Sequence, residues 1–86
     1  VINELINVTK RVNLCECNKI VDIANKYNSS INFFHDGTFL DAKRMFTVIQ
    51  LQGMVEQLVL LIIKGEDEQE AYNELYNYMR KVLFNY

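Results

Sequence analysis

Apolar and polar residues alternate imperfectly over residues 2–8, a period near two that predicts a strand. The period then lengthens. Cys17, Ile20, Val21, Ala24 and Tyr27 recur at helical spacing and predict a helix with one buried stripe, closed by the turn formers Asn28, Ser29 and Ser30. Residues 31–35 are apolar and aromatic and predict a second strand. Asp36-Gly37 separates them from Thr38, Phe39 and Leu40. An Asp-Gly pair between two such runs is a hairpin signal, because both residues tolerate positive φ. Residues 45–51 predict a short helix, and residues 58–63 an apolar strand ended by Lys64-Gly65. The last element opens with Glu66, Asp67, Glu68 and Glu70, which suit the positive end of a helix dipole. It continues with Ala71, Leu75, Tyr78, Met79 and Val82 at helical spacing.

The order β-α-β-β-α-β-α predicts an α+β fold in which helices cover one face of a single sheet, antiparallel or mixed because of the hairpin. No linker, repeat or low-complexity stretch divides the chain, so residues 1–86 read as one domain. The fourth strand is apolar on both faces. Val59, Leu61 and Ile63 are expected to face the helices, which turns Leu58, Leu60 and Ile62 the other way. Leu5 and Phe34 would point in that second direction as well, so Leu5, Phe34, Leu60 and Ile62 should form an apolar patch on the open face. A strand apolar on both sides is normally covered on both, so the patch is expected to pack on another copy or a partner domain.

Composition narrows the chemistry. Half of the 86 residues are hydrophobic, enough for a core. With 9 basic and 11 acidic residues the formal charge is -2, which gives no reason to expect nucleic acid as a partner. The apolar run at 58–63 is too short to cross a bilayer, which takes roughly 20 helical residues, and no signal-peptide pattern opens the chain. A cytoplasmic protein without membrane insertion is expected. Cys15 and Cys17 fit reduced cytosolic thiols. C-x-C with no other soft ligand in sight is weak evidence for metal, so neither metal nor cofactor is expected.

Three stretches carry a resemblance. Residues 24–32, Ala-Asn-Lys-Tyr-Asn-Ser-Ser-Ile-Asn, Asp36-Gly37, and residues 65–71, Gly-Glu-Asp-Glu-Gln-Glu-Ala, stand in a spacing that resembles the HPr family, the bacterial phosphocarriers of the phosphoenolpyruvate sugar phosphotransferase system. The likeness runs without a gap from about Val8 to Met79. It implies an open-faced sandwich: a four-stranded antiparallel sheet with three helices on one side, the first strand beside the fourth and the fourth beside the second. It also implies a carrier or binding protein rather than an enzyme.

The family's His-x-Arg-Pro motif opens its first helix, where free N–H groups and the helix dipole stabilise a phosphoryl group. Counted from Tyr27, the resemblance puts Asn13 at the histidine, Cys15 at the arginine and Glu16 at the proline. Asn cannot carry a high-energy phosphate. Asn13 and Glu16 instead have the spacing of a capping box, with Val12 and Cys17 as a hydrophobic staple. The family's regulatory serine falls on Arg44, a fixed positive charge where phosphorylation would add a negative one.

These substitutions imply a non-phosphorylatable binding or regulatory module. Its protein partner, drawn from the phosphotransferase system, would dock on Met45, Phe46 and Ile49, although a short helix can equally turn these residues into the core. Two alternatives stand beside it. One is a structural or dimerisation domain that uses the patch Leu5, Phe34, Leu60 and Ile62. The other is a phosphocarrier with a displaced acceptor. Cys15 is one candidate, since a first-turn thiol is placed to become a thiolate, although Glu16 opposes this. His35, the one histidine, is the other, but it falls beside the hairpin and reads more simply as an ordinary strand residue.

Overall fold

The hairpin forms where the Asp-Gly pair stands. Asp36 has φ 49° and Gly37 φ 80°, so both turn residues take the left-handed conformation that this pair accepts at little cost. It joins β2 (Ser30–His35) to β3 (Thr38–Asp41) in the computed structural model, which describes residues 1–83. The remaining elements are β1 (Ile2–Asn7), α1 (Leu14–Asn25), α2 (Met45–Val48), a 3-10 turn (Ile49–Gly53), β4 (Leu58–Lys64) and α3 (Glu68–Val82). The sheet order is β1-β4-β2-β3, with every neighbouring pair antiparallel. The three helices lie on one face, as expected of the HPr-like open-faced sandwich.

Alternation in β4 sets the core. Val59, Leu61 and Ile63 are buried. Beside them on the same face lie Ile6, Ile31 and Phe33, and against this face pack Cys17, Ile20, Ile23 and Ala24 from α1 and Ala71, Leu75 and Met79 from α3. Each helix thus buries one stripe.

Two elements differ from the sequence expectation. Helix α1 stops at Asn25, so Tyr27 lies beyond it, and Ile23 rather than Val21 completes the buried stripe. The Tyr27 hydroxyl leaves the core and donates to the Glu74 carboxylate of α3, which also pairs with Lys26. The expected helix over 45–51 divides into one α turn and a 3-10 turn that runs to Gly53. Such short segments tighten readily when packing rather than propensity holds them.

The acidic residues before α3 also do more than face the dipole. Asp67 does not cap its own helix. Its carboxylate accepts the N–H groups of Asn28 and Ser29, each at 2.9 Å, and the Ser29 hydroxyl. Ser29 is the buried polar residue of the chain among those described. The Ser29 hydroxyl, followed by the two amides, holds the Asp67 carboxyl below its ordinary range. Lys26 and then Tyr27 do the same for Glu74. In return, hydrogen bonding to Glu74, then partial desolvation, raises the Tyr27 phenol to about 12.

The carboxylates therefore add stability that is present above about pH 4, the ordinary Asp and Glu range, and that drains as pH falls through their lower native values. The Tyr27 contribution is present below about pH 10 and is lost as pH rises through about 12. Thermal melts from pH 7 to pH 2.5 should fall steadily below about pH 4, and Asp67→Asn should flatten that acid limb. An acid limb of unchanged slope in the variant would contradict this assignment.

Candidate functional site at the first turn of helix α1

The chain enters α1 through Asn13, an N-cap residue in extended conformation with φ -88° and ψ 171°. The Glu16 N–H donates to Asn13 Oδ1 at 2.8 Å. The Asn13 N–H donates to Glu16 Oε1 at 3.0 Å. This reciprocal pair is a complete capping box, and the Cys17 N–H closes the first helical bond onto the Asn13 carbonyl at 3.0 Å. Val12 and Cys17 on either side are both fully buried in the same cluster, the arrangement of a hydrophobic staple. Sequence thus acts locally: an Asn and a Glu three apart satisfy first-turn amides that would otherwise face solvent or an anion. The Glu16 carboxylate then stands in the first turn, where the dipole favours negative charge.

The two cysteines lie in different surroundings. Cys15 is exposed and Cys17 buried. Burial, then the charge of Glu16, pushes the Cys17 thiol up, which keeps it in the inert form. Its Sγ lies 3.9 Å from the Val48 carbonyl oxygen, linking α1 to α2. His35 sits at the end of β2 opposite Thr38, far along the chain from this turn, with Nδ1 3.1 Å from the Leu58 carbonyl oxygen. Among the described residues, no group of three or more His, Cys, Asp or Glu side chains could hold a metal ion.

Helix α2 stands beside the first turn. Gln52 Nε2 donates to the Val12 carbonyl at 3.1 Å and ties the 3-10 turn to the entry of α1. Arg44 occupies the N-cap of α2, exposed and without a side-chain cap bond. The three apolar residues expected to dock a partner divide. Phe46 is 79% exposed, whereas Met45 and Ile49 pack partly on the core. Leu14, in the first turn of α1, is 58% exposed and is a second exposed apolar side chain on the helical side. Leu14 and Gln52 were not singled out from sequence. The one signal for Leu14 was its place off the 17-20-24 stripe, which leaves an apolar residue facing outward.

A sequence model of the PTS HPr component phosphorylation-site family matches residues 16–81. The chain belongs to the HPr family. HPr proteins are phosphocarriers of the sugar phosphotransferase system and not enzymes, so membership supplies the system and leaves open what this chain does there. The matched span opens at Glu16, after Asn13 and Cys15.

Solved HPr-type structures agree. HPr-C-His from Thermoanaerobacter tengcongensis is 25% identical with a TM-score of 0.79, over 94% of this chain and 93% of that one. The Bacillus subtilis catabolite-repression protein Crh, described as a domain-swapped dimer, is 26% identical with a TM-score of 0.73, over 93% and 92%. The histidine-containing phosphocarrier of a Mycoplasma matches in fold, at a TM-score of 0.86 and 15% identity, over 98% and 100%. No curated protein sequence matches significantly.

Proposed function

We propose that this chain is a non-phosphorylatable HPr-family module that binds or regulates a protein of the sugar phosphotransferase system. The observation that carries the reading is the closed capping box. At the position that the resemblance equates with the phosphoacceptor stands Asn13, whose amide cannot form a phosphoramidate like that of histidine. Its Oδ1 already accepts a first-turn N–H, and the Glu16 carboxylate occupies the end of the helix that would attract a phosphoryl anion. A bound phosphate would meet a like charge and lose amides already bonded. Arg44, at the position equated with the regulatory serine, offers a kinase no hydroxyl and presents a fixed cation. Family membership favours a cytoplasmic location and a protein partner.

Partner binding falls to the exposed Phe46 of α2, with the exposed Leu14 in the first turn of α1. A large aromatic side chain left in water next to a half-buried apolar pair is the kind of anchor that protein interfaces bury.

The test is incubation with phosphoenolpyruvate and the donor enzyme of the phosphotransferase system, read by intact mass. The native protein should show no phosphate adduct. An adduct on Cys15 or His35 would overturn the proposal in favour of a displaced acceptor. For the docking surface, Phe46→Ala should weaken binding to phosphotransferase-system proteins by roughly tenfold or more, at an unchanged melting temperature. Equal binding by the variant would place the contact elsewhere.

A further inference from the structure

The outward face of the sheet carries a row that register alone explains. Leu5 pairs with Leu60, Leu60 with Phe34, and Phe34 with Phe39, one residue from each strand in the order β1-β4-β2-β3. The Phe34 and Phe39 rings lie 4.7 Å apart between centroids. Phe39 is 62% exposed and Leu5 59%, while Leu60 and Phe34 are partly covered by these neighbours. Leu58 and Ile62 flank the row along β4. None of these side chains is needed by the core, which the opposite face of the same strands fills.

We propose that this face is the interface of a homodimer, formed by two copies stacking sheet on sheet. Two arguments favour a second copy over another occupant. The first is charge. The flanking outward row on one side is Asn3, Ile62, Asn32 and Asp41, followed by Lys64 and Ser30, and on the other Asn7 and Leu58 run toward the hairpin with its exposed Asp36, so one cation and two anions stand at the margins of an otherwise neutral surface. A twofold axis parallel to the strands sets β1 over the other copy's β3, and β4 over its β2. Leu5 then meets Phe39, Leu60 meets Phe34, Ile62 meets Asn32, Asn3 meets Asp41 and Ser30 meets Lys64. The apolar row falls on itself and no like charges oppose, in a chain whose net charge is -2. An acidic or basic partner would gain almost nothing from such a face.

The second argument is area. Four strands about 4.8 Å apart and a seven-residue strand at about 3.3 Å per residue give a face of roughly 15 by 20 Å. With its side-chain relief, two copies would bury on the order of 1,000 Å², the lower margin of specific interfaces. That is enough for a reversible dimer and too little for an obligate one. Sheets stacked about 10 Å apart within 30° of alignment supply the geometry.

Sedimentation equilibrium of the full chain, from a few micromolar to about 1 mM, tests this. The mass should rise from 10.1 kDa toward twice that value as concentration increases. Leu60→Glu and Phe39→Glu should each weaken association at least tenfold. Phe39 is largely exposed, so its substitution should leave the melting temperature unchanged and serves should Leu60→Glu impair folding. Phe46→Ala, on the helical side, should leave the dimer intact. A monomer throughout the range would overturn the proposal and leave the face to a partner of other chemistry. A dimer insensitive to both glutamates would overturn it as well, placing self-association on the helical side or in strand exchange.

Discussion

Asn13→His combined with Cys15→Arg and Glu16→Pro is expected to let the chain carry a single phosphoryl group from phosphoenolpyruvate and the donor enzyme, read by intact mass, where on the proposed reading the native chain should carry none. The three changes act on separate parts of one turn. Histidine supplies a ring nitrogen able to hold phosphate. Arginine adds charge-assisted hydrogen bonds to its oxygens. Proline removes the Glu16 carboxylate and the N–H now donated to Asn13 at 2.8 Å, in a helical turn where proline is tolerated. Asn13→His alone should accept phosphate more slowly, because the carboxylate remains. Two unit charges 4 Å apart repel by about 1 kcal/mol in bulk water and about 4 kcal/mol near a protein surface, a loss of roughly fivefold or more. Loss of the cap should also lower stability by about 1 kcal/mol. A folded triple variant that stays unmodified would show that more than these positions separates the chain from carrier chemistry.

Gly65→Ala should be the most destabilising single methyl in the protein. Gly65 has φ 156° and links β4 to the start of α3. A Cβ there would lie 2.4 Å from Ser29 Oγ, 2.6 Å from Ser29 Cα and 2.8 Å from Ser29 Cβ. Ser29 has little room to retreat, because Asp67 holds both its amide and its hydroxyl. Steric overlap and backbone strain together should cost about 2–4 kcal/mol, a fall in melting temperature of roughly 10–25 °C for a domain of this size. Gly53→Ala is the control. Its Cβ would meet nothing within 4 Å, and the melt should hardly move. Equal melting temperatures for the two variants would refute the close approach as the reason for glycine at 65.

Much of this protein acts through neighbours close in sequence, and that part was legible. The Asp36-Gly37 turn, the capping box of Asn13 and Glu16, and the two-face alternation of residues 58–64 each depend on spacings of a few residues, and the structure holds all three. The candidate site was legible for the same reason, since a helix cap is a local device. Where the expectation slipped, a long-range contact intervened. Tyr27 has helical spacing, but the chain leaves the helix before it and the hydroxyl reaches Glu74 on α3. The acidic start of α3 read as dipole complement, yet Asp67 turns away to hold Asn28 and Ser29.

Sequence alone therefore determined the order of the elements, the inward stripes apart from Ile23 taking the place of Val21 and Tyr27 in α1, and the absence of a histidine from the first helix. Those features rest on backbone periodicity and on side-chain chemistry that needs no partner. Only the tertiary structure decided that Phe46 faces water while Met45 and Ile49 turn to the core, that Gly65 lies against Ser29, and that Phe39 joins the expected patch residues Leu5, Leu60 and Phe34 in one row. Each of these depends on how segments distant in the chain meet, and for the row of Leu5, Leu60, Phe34 and Phe39 a one-residue slip in strand pairing would send the slipped strand's side chain to the other face.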